Sequence, residues 1–222
     1  RGWLCAYAGL KATRVVEAAQ IPATHGGAAR HNIANALGAA ALSQALGASF
    51  EDVRQGLMSF GSEATDNPGR CQIQEVSGVQ LILDFGHNPH GVRAMLTMAR
   101  ALMSDRPGAR LWVSVGQAGD RSDEDLLGLS DAIWEARPAM VSLRDIVGYE
   151  RGRAPQEAAL LMRDGLGRLG HSVDAVRLHD DEVHAISDAL SWAQPGDLIV
   201  HLVHIQRDDV AAFLADPGAR DP

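Results

Sequence analysis

The stretch Val79-Gln80-Leu81-Ile82-Leu83-Asp84-Phe85-Gly86-His87-Asn88-Pro89-His90 decides the fold. Its first five residues form a short run of strand formers that stops at Asp84. A helical pattern then opens at Pro89 and runs to about residue 103, with Asn88 as its cap and Pro89 at the first helical position, where a missing N–H costs nothing. A buried strand that passes through a short loop into a helix is the unit of a parallel α/β sheet. An aspartate ending such a strand can accept hydrogen bonds from a ribose, and a helix N-terminus favours an anion; a capped turn with no ligand accounts for the same residues.

Working outward, residues 71–76 and 79–83 read as two strands around a tight turn at Ser77-Gly78. Downstream, strands are expected at 111–115, 140–143, 173–178 and 198–203. Helices are expected at 123–135, 155–169, 181–192 and 208–214. The alternation predicts an α/β, Rossmann-like, mostly parallel sheet with helices on both faces. Ligands of such sheets collect beyond the carboxyl ends of the strands, here residues 84–90, 116–121, 144–153 and 201–206.

Upstream the rhythm differs. Residues 61–69 are polar and end in Asn67-Pro68-Gly69, which divides the chain into parts 1–66 and 67–222. The first part carries a strand near 14–17, a turn-rich stretch at 21–30 and a well-buried Ala- and Leu-rich helix at 31–46. Ser49 caps a second helix, whose stripe is Phe50, Val53, Leu57 and Phe60 and whose first turn holds Glu51 and Asp52. The chain opens on Arg1 without a start signal or helix cap, so it is expected to belong to a longer protein.

Composition narrows the function. The 222 residues are 46% apolar, 22% charged and 5% aromatic, with a formal net charge of -8. No basic field invites a nucleic acid, and no run approaches the roughly 18 apolar residues of a membrane helix. Cys5 and Cys71 lack a metal or disulfide spacing, which points to reduced cytoplasmic thiols. Of the 20 basic residues only Lys11 is a lysine, and no Gly-Lys pair occurs, so a Walker-type phosphate loop is missing. No internal repeat is present.

Three further constellations fall at the expected ligand edge. In Gly116-Gln117-Ala118-Gly119-Asp120-Arg121 two glycines would let a ligand approach the backbone, though the pattern is not the dinucleotide fingerprint. Asp123, Glu124 and Asp125 open the next helix; they suit its dipole and equally an incoming cation. Arg144, Asp145, Tyr149, Glu150, Arg151 and Arg153 form a loop that suits a planar oxyanion or is simply a solvated charge run. His201 and His204 are three apart on or after a strand, which argues against a shared metal. His171, His179 and His184 read as surface residues, and His31 and His87 as site candidates.

The run His31-Asn32-Ile33-Ala34-Asn35-Ala36-Leu37-Gly38-Ala39-Ala40, then Pro68-Gly69-Arg70, then Asp84-Phe85-Gly86-His87-Asn88-Pro89, then Gly119-Asp120-Arg121 resembles the Mur ligase superfamily of ATP-dependent amide ligases. Ile21-Pro22-Ala23-Thr24-His25-Gly26-Gly27, the acidic tail at 120–125 and Arg151-Gly152-Arg153 are most similar to the ligase half of the cyanophycin synthetases. The resemblance implies that residues 1–66 are the tail of a central ATPase domain, a helical remnant, and that 67–222 are the carboxyl-terminal Rossmann-like domain. It implies ATP and Mg²⁺ as cofactors, with Asn32 and Asn35 beside the adenine and Arg70 and Asp84 at the ribose. His87 and Asn88 would shape the catalytic site near the acyl group. Asp120, Arg121, Asp123, Glu124, Arg151 and Arg153 would face the incoming amino acid or an acidic acceptor chain.

The implied reaction joins an amine to a phosphorylated carboxylate, arginine onto poly-aspartate in the cyanophycin case. A peptidoglycan-precursor or folylpolyglutamate ligase is the alternative, and a non-catalytic nucleotide- or partner-binding module the alternative of a different class. Phe85-Gly86 departs from the superfamily's frequent Tyr-Ala, and His90 is a second departure. Phosphoryl transfer rests on positioning the phosphates and their Mg²⁺, so this segment alone is expected to lack ATPase activity. Homo-oligomer formation is compatible with the sequence and is not specified by it.

Overall fold

The structure, a computed structural model, describes residues 2–8, 10–61, 66 and 69–216. It divides into two compact units, Arg1–Pro68 and Gly69–Pro222. Asn67 and Pro68, read above as part of a boundary turn, lie outside the described residues.

The first unit opens with an antiparallel hairpin, β1 (Trp3–Ala8) and β2 (Lys11–Glu17), paired from Trp3↔Glu17 to Ala8↔Lys11 with a bulge at Leu4/Cys5. The strand expected at 14–17 is therefore longer, and its partner β1 was not anticipated. Two single 3₁₀ turns, Ala18–Gln20 and Pro22–Thr24, are pinned by the buried Thr24 hydroxyl, which donates to the carbonyls of Ala18 at 2.7 Å and Ile21 at 2.8 Å. Helices α1 (Arg30–Ala45) and α2 (Phe50–Ser59) follow. Ser49 and Asp52 form a reciprocal capping box at the start of α2.

Leu4, Val15, Val16, Ala18, Ile21, Ala36 and Val53 make this unit's core. The reading of α1 as well buried is corrected: Ala36 is its one buried residue, and Leu37 and Leu42 are 46% and 69% exposed. Alanine and leucine are distributed all round the cylinder, so propensity rather than a buried stripe makes this segment helical.

In the second unit β3 (Gln72–Val76) and β4 (Val79–Asp84) form a hairpin through Ser77 and Gly78, both at positive φ (51° and 79°) as a type I′ turn requires. There follow α3 (Pro89–Leu102), β5 (Leu111–Gln117), α4 (Asp123–Glu135), β6 (Met140–Asp145), α5 (Glu157–Arg168), β7 (Val176–Leu178), α6 (Glu182–Trp192), β8 (Leu198–Leu202) and α7 (Arg207–Ala215). The strand order is β3-β4-β8-β5-β6-β7. Only β3 runs antiparallel, and the other pairings are parallel.

Alternation along the strands separates the two faces. Leu81, Trp112, Met140 and Ile199 pack with Ile186 and Ala189 of α6 and Val210 and Leu214 of α7. Ile82, Val113, Val141 and Val200, also buried, point the other way, where α3, α4 and α5 pack on one another. Because β8 inserts between β4 and β5, the carboxyl ends of β4, β8, β5 and β6 lie side by side. That edge positions most of the expected site residues.

Candidate functional site

At the end of β4 the buried Asp84 carboxylate accepts the Cys71 backbone N–H at 2.9 Å, and its carbonyl accepts the Val203 N–H at 2.8 Å. Arg70 does not reach for this carboxylate. Its guanidinium lies 4.9 Å from the centre of the Phe85 ring, a cation–π contact one residue further on. The same ring packs against His87 at 5.5 Å and His204 at 5.3 Å. His87 Nδ1 is 3.3 Å from the Phe85 carbonyl, and Asn88 Oδ1 caps α3 by accepting the Gly91 N–H at 2.8 Å. Arg70, Asp84, His87 and Asn88 are thus gathered around one turn.

The loop after β5 differs from its expectation. A Cβ on Gly119 would sit 1.8 Å from the Glu150 carbonyl oxygen, and one on Gly116 would meet the Arg144 side chain at 3.1 Å. Both glycines therefore admit groups of the protein itself rather than a ligand. Gly119 N–H donates to the Tyr149 carbonyl at 2.8 Å, which fastens the two loops together.

The acidic residues here find cations of their own chain. Asp120 pairs with Arg151. Arg153 pairs with Asp123 at 2.6 Å and Glu157 at 3.0 Å, and donates to the carbonyls of Gly119 at 3.1 Å and Arg121 at 2.8 Å. The two carboxylates, Asp123 more than Glu157, draw the Arg153 pKa upward. Ser122 caps α4 by accepting the Asp125 N–H. Glu124 is exposed, without an ion-pair partner among the described residues. Arg121 Nε and Gln117 Nε2 are buried donors without a hydrogen-bond acceptor there.

Asn32 and Asn35 belong to the first unit. Asn32 Nδ2 donates to the Ala23 carbonyl at 2.7 Å, and Asn35 Nδ2 to Asn32 Oδ1 at 3.2 Å. Both line a cavity of about 540 Å³ whose other walls include Ile21, Ala36, Val53 and Leu57.

Sequence reasoning missed a buried polar layer beneath α6. Arg144, read as part of an oxyanion loop, ends a fully buried course of β6 instead. It lies 3.5 Å from Glu182, donates to Ser114 Oγ at 2.8 Å and to the Leu202 carbonyl, and burial pushes its pKa down. Burial acts to raise the Glu182 carboxyl, yet the His204 side chain, the Arg144 charge and the amides of His204 and Gln206 hold it at about 2.

His171 and His179 are also not surface residues. His171 is buried against Trp134, and His179 bridges Ser142 Oγ at 2.8 Å and Asp188 at 3.0 Å. That hydroxyl–imidazole–carboxylate row has the composition of a nucleophile triad, but Ser142 is fully buried in mid-strand, so no substrate reaches it. His184 alone of the three is exposed. A more informative signal was Arg144 itself, since an arginine that continues the strand pattern of 140–143 is placed to be internal.

Among the described residues no group of three or more His, Cys, Asp or Glu could hold a metal ion, and no helix is long and apolar enough to cross a membrane. Residues 69–202 match the family described as "Mur ligase, glutamate ligase domain". The chain belongs to the Mur ligase family. Among curated relatives it is 34% identical to the cyanophycin synthetase of Crocosphaera subtropica over 90% of this chain and 22% of that protein. A murein peptide ligase from Psychrobacter arcticus superimposes with a TM-score of 0.57 at 19% identity, over 83% of this chain and 36% of that one. A bifunctional folylpolyglutamate synthase/dihydrofolate synthase from Yersinia pestis, complexed with AMPPNP and a Mn ion, gives a TM-score of 0.53 at 25% identity, over 74% of this chain and 34% of that one. This Mur ligase chain therefore spans about a fifth of the cyanophycin synthetase and about a third of the ligases of known structure.

Proposed function

We propose that the chain is the carboxyl-terminal part of an ATP-dependent amide ligase that makes cyanophycin. In that reaction the γ-phosphoryl group of ATP passes to an aspartate side-chain carboxylate of a poly-aspartate chain, releasing ADP. The amine of arginine then attacks the acyl phosphate, forming the amide and expelling inorganic phosphate. The observation that carries this reading is the 34% identity to a cyanophycin synthetase, which extends over 90% of the chain.

In this reading residues 1–66 are the tail of the central ATPase domain and 67–222 the carboxyl-terminal domain. The cavity beside Asn32 and Asn35 fits an adenine: its volume suits a small ligand, its walls are mainly apolar, and two carboxamides supply directional hydrogen bonds. Arg70 and Asp84 serve the ribose, and His87 and Asn88 the region of the acyl group. The Mg²⁺ supplies neutralisation of the phosphate oxygens, and a preceding part of the complete ligase supplies its ligands and the phosphate loop. Arg121, Arg151 and Arg153 with Asp120, Asp123 and Glu124 meet the amino acid or the acceptor.

The test is a chimera in which this chain replaces its counterpart in the Crocosphaera subtropica enzyme. ATP-dependent addition of radiolabelled arginine to poly-aspartate supports the proposal. A folded chimera that adds no arginine but turns over a muramyl peptide or a folate transfers the assignment to the second reading, which the 30% identity to a UDP-N-acetylmuramate–L-alanine ligase of Ruegeria sp. over 78% of this chain favours.

A further inference from the structure

The turn that carries His87 and Asn88 is short, and only part of its order comes from its own residues. Asn88 is spent on capping α3, and Gly86 has no side chain with which to anchor. The remaining anchors come from the segment that follows the neighbouring parallel strand β8. His204 Nε2 donates to the Gly86 carbonyl at 3.2 Å, and the His204 ring packs on Phe85. The His204 side chain is 4% exposed, so this bond is protected from water.

What holds His204 is a carboxylate. Glu182, at the first turn of α6, accepts the backbone N–H groups of His204 at 2.7 Å and Ile205 at 3.3 Å through one oxygen, and that of Gln206 at 2.9 Å through the other. The Gln206 side chain returns the contact by accepting the Glu182 N–H at 2.7 Å. Residues 204–206 lie between β8 and α7, ahead of the first helical turn, and Glu182 orders this segment by accepting its three successive amides. Apolar packing could fill this volume, but it would not fix three amides in direction. A buried carboxylate does so, and the nearby Arg144 charge offsets the cost of placing it there.

We propose that Glu182 and His204 are positioning residues, which together set the 85–88 turn and hence the orientation of His87 and Asn88. This rests on the proposed function only for what His87 does; the positioning itself is a property of this chain. Neither residue touches a substrate in this scheme. Glu182 acts on 204–206, His204 transmits the placement to Gly86 and Phe85, and the Phe85 ring, clasped also by Arg70, places His87.

The experiment uses the chain as it stands, with hydrogen exchange by mass spectrometry and the His87 ring signal by NMR. His204→Phe keeps an aromatic ring beside Phe85 and removes the donor to Gly86; His204→Gln restores an N–H donor. The expected result for His204→Phe is at least tenfold faster exchange at amides 86–91 and a His87 signal displaced toward its unstructured position. His204→Gln is expected to retain the parent behaviour. Glu182→Gln, which loses charge but keeps acceptors, should loosen 204–206 and, to a smaller extent, 86–91. Leu129→Ala, in the core on α4, controls for general destabilisation and should leave the His87 signal in place.

An unmoved His87 signal and unchanged exchange in His204→Phe would overturn the proposal, as would an equal effect of Leu129→Ala. The arginine-addition assay on the chimera is a separate readout. Failure of that assay with a responsive His87 signal discards the cyanophycin reading and keeps the positioning. An active chimera with an unresponsive His87 does the reverse.

Discussion

Arg144 and Glu182 face each other at 3.5 Å in the interior of the second unit, their side chains 1% and 3% exposed. An ion pair so deep contributes little net stability by existing, because both charges lost their water, but removing one partner strands the other. Arg144→Met should therefore destabilise the chain by about 3–5 kcal/mol in urea unfolding. Arg144→Met combined with Glu182→Gln should recover a measurable part of that loss. A double variant as unstable as the sum of the two single ones would show that the pair is not coupled.

His201 offers a pH experiment in the same layer. It is fully buried, neither ring nitrogen has a hydrogen-bond partner among the described residues, and burial first, then Arg144, holds its pKa well below 6.5, with Glu182 opposing and His204 and His179 adding repulsion. A folded pKa below the unfolded one means that the unfolded chain binds the extra proton, so stability is lost as pH falls below about 6.5. His201→Leu removes both the proton linkage and an unsatisfied buried polar group. The melting temperature of the variant relative to the parent should be higher at pH 5.5 than at pH 8. A difference independent of pH would show that His201 does not titrate on unfolding.

Gly119 is tested by a single methyl. Its Cβ would lie 1.8 Å from the Glu150 carbonyl oxygen, a backbone atom that cannot swing aside as a side chain would. Gly119→Ala should cost about 1–3 kcal/mol through overpacking and should speed exchange at amides 148–153. Gly167→Ala on α5, where beyond its own helix backbone an added Cβ meets no atom of the described residues within 4 Å, should be neutral or stabilising by up to about 1 kcal/mol. Equal effects of the two would separate the Gly119 backbone from the packing argued for it.

The second unit was legible because its periodic signals are local. The apolar runs 79–83 and 198–203, the Ser77-Gly78 turn and the Asn88-Pro89 start all name their own geometry, and the expected helix 123–135 is α4 residue for residue. The β1–β2 hairpin was missed because β1 reads as a strand only once β2 is there to pair with it, and the expected burial of α1 failed because an alanine-rich helix looks alike on every side. The grouping of Asp84, His87 and Asn88 followed from the strand-end rule, whereas Arg70 was expected there only through the family resemblance, and the β3–β4 hairpin is what brings it beside Phe85. Glu182 and His204 were not legible: twenty-two positions apart, they meet because α6 leads back into β8, and His204 reaches Gly86 only because β8 lies beside β4. Likewise nothing in the sequence says that Asp120 and Asp123 are matched by Arg151 and Arg153, about 30 residues later.

That matching reshapes the question of what the acidic cluster at 120–125 is for. A cluster of like charges is costly unless solvated or neutralised, and an incoming arginine would neutralise it. In the structure Asp120 and Asp123 already have guanidinium partners from the chain, and Asp125 is drawn to Ser122. Glu124 is the acid left without such a partner among the described residues. Reversing Asp123 would also cut Arg153 loose from the loop it clamps, so a KM change there would mix recognition with loop order. Glu124→Lys avoids this, because it disturbs no bond of the clamp. In the active chimera it should raise the KM for arginine by roughly 2- to 5-fold, the size of one exposed charge contact, while leaving the KM for ATP unchanged. Arg153→Ala should instead lower stability and disturb both KM values through the 119–123 loop. An unaltered arginine KM in Glu124→Lys would leave the acids at 120–125 as a helix start and an internal clamp, and would move recognition of the arginine side chain to another part of the ligase.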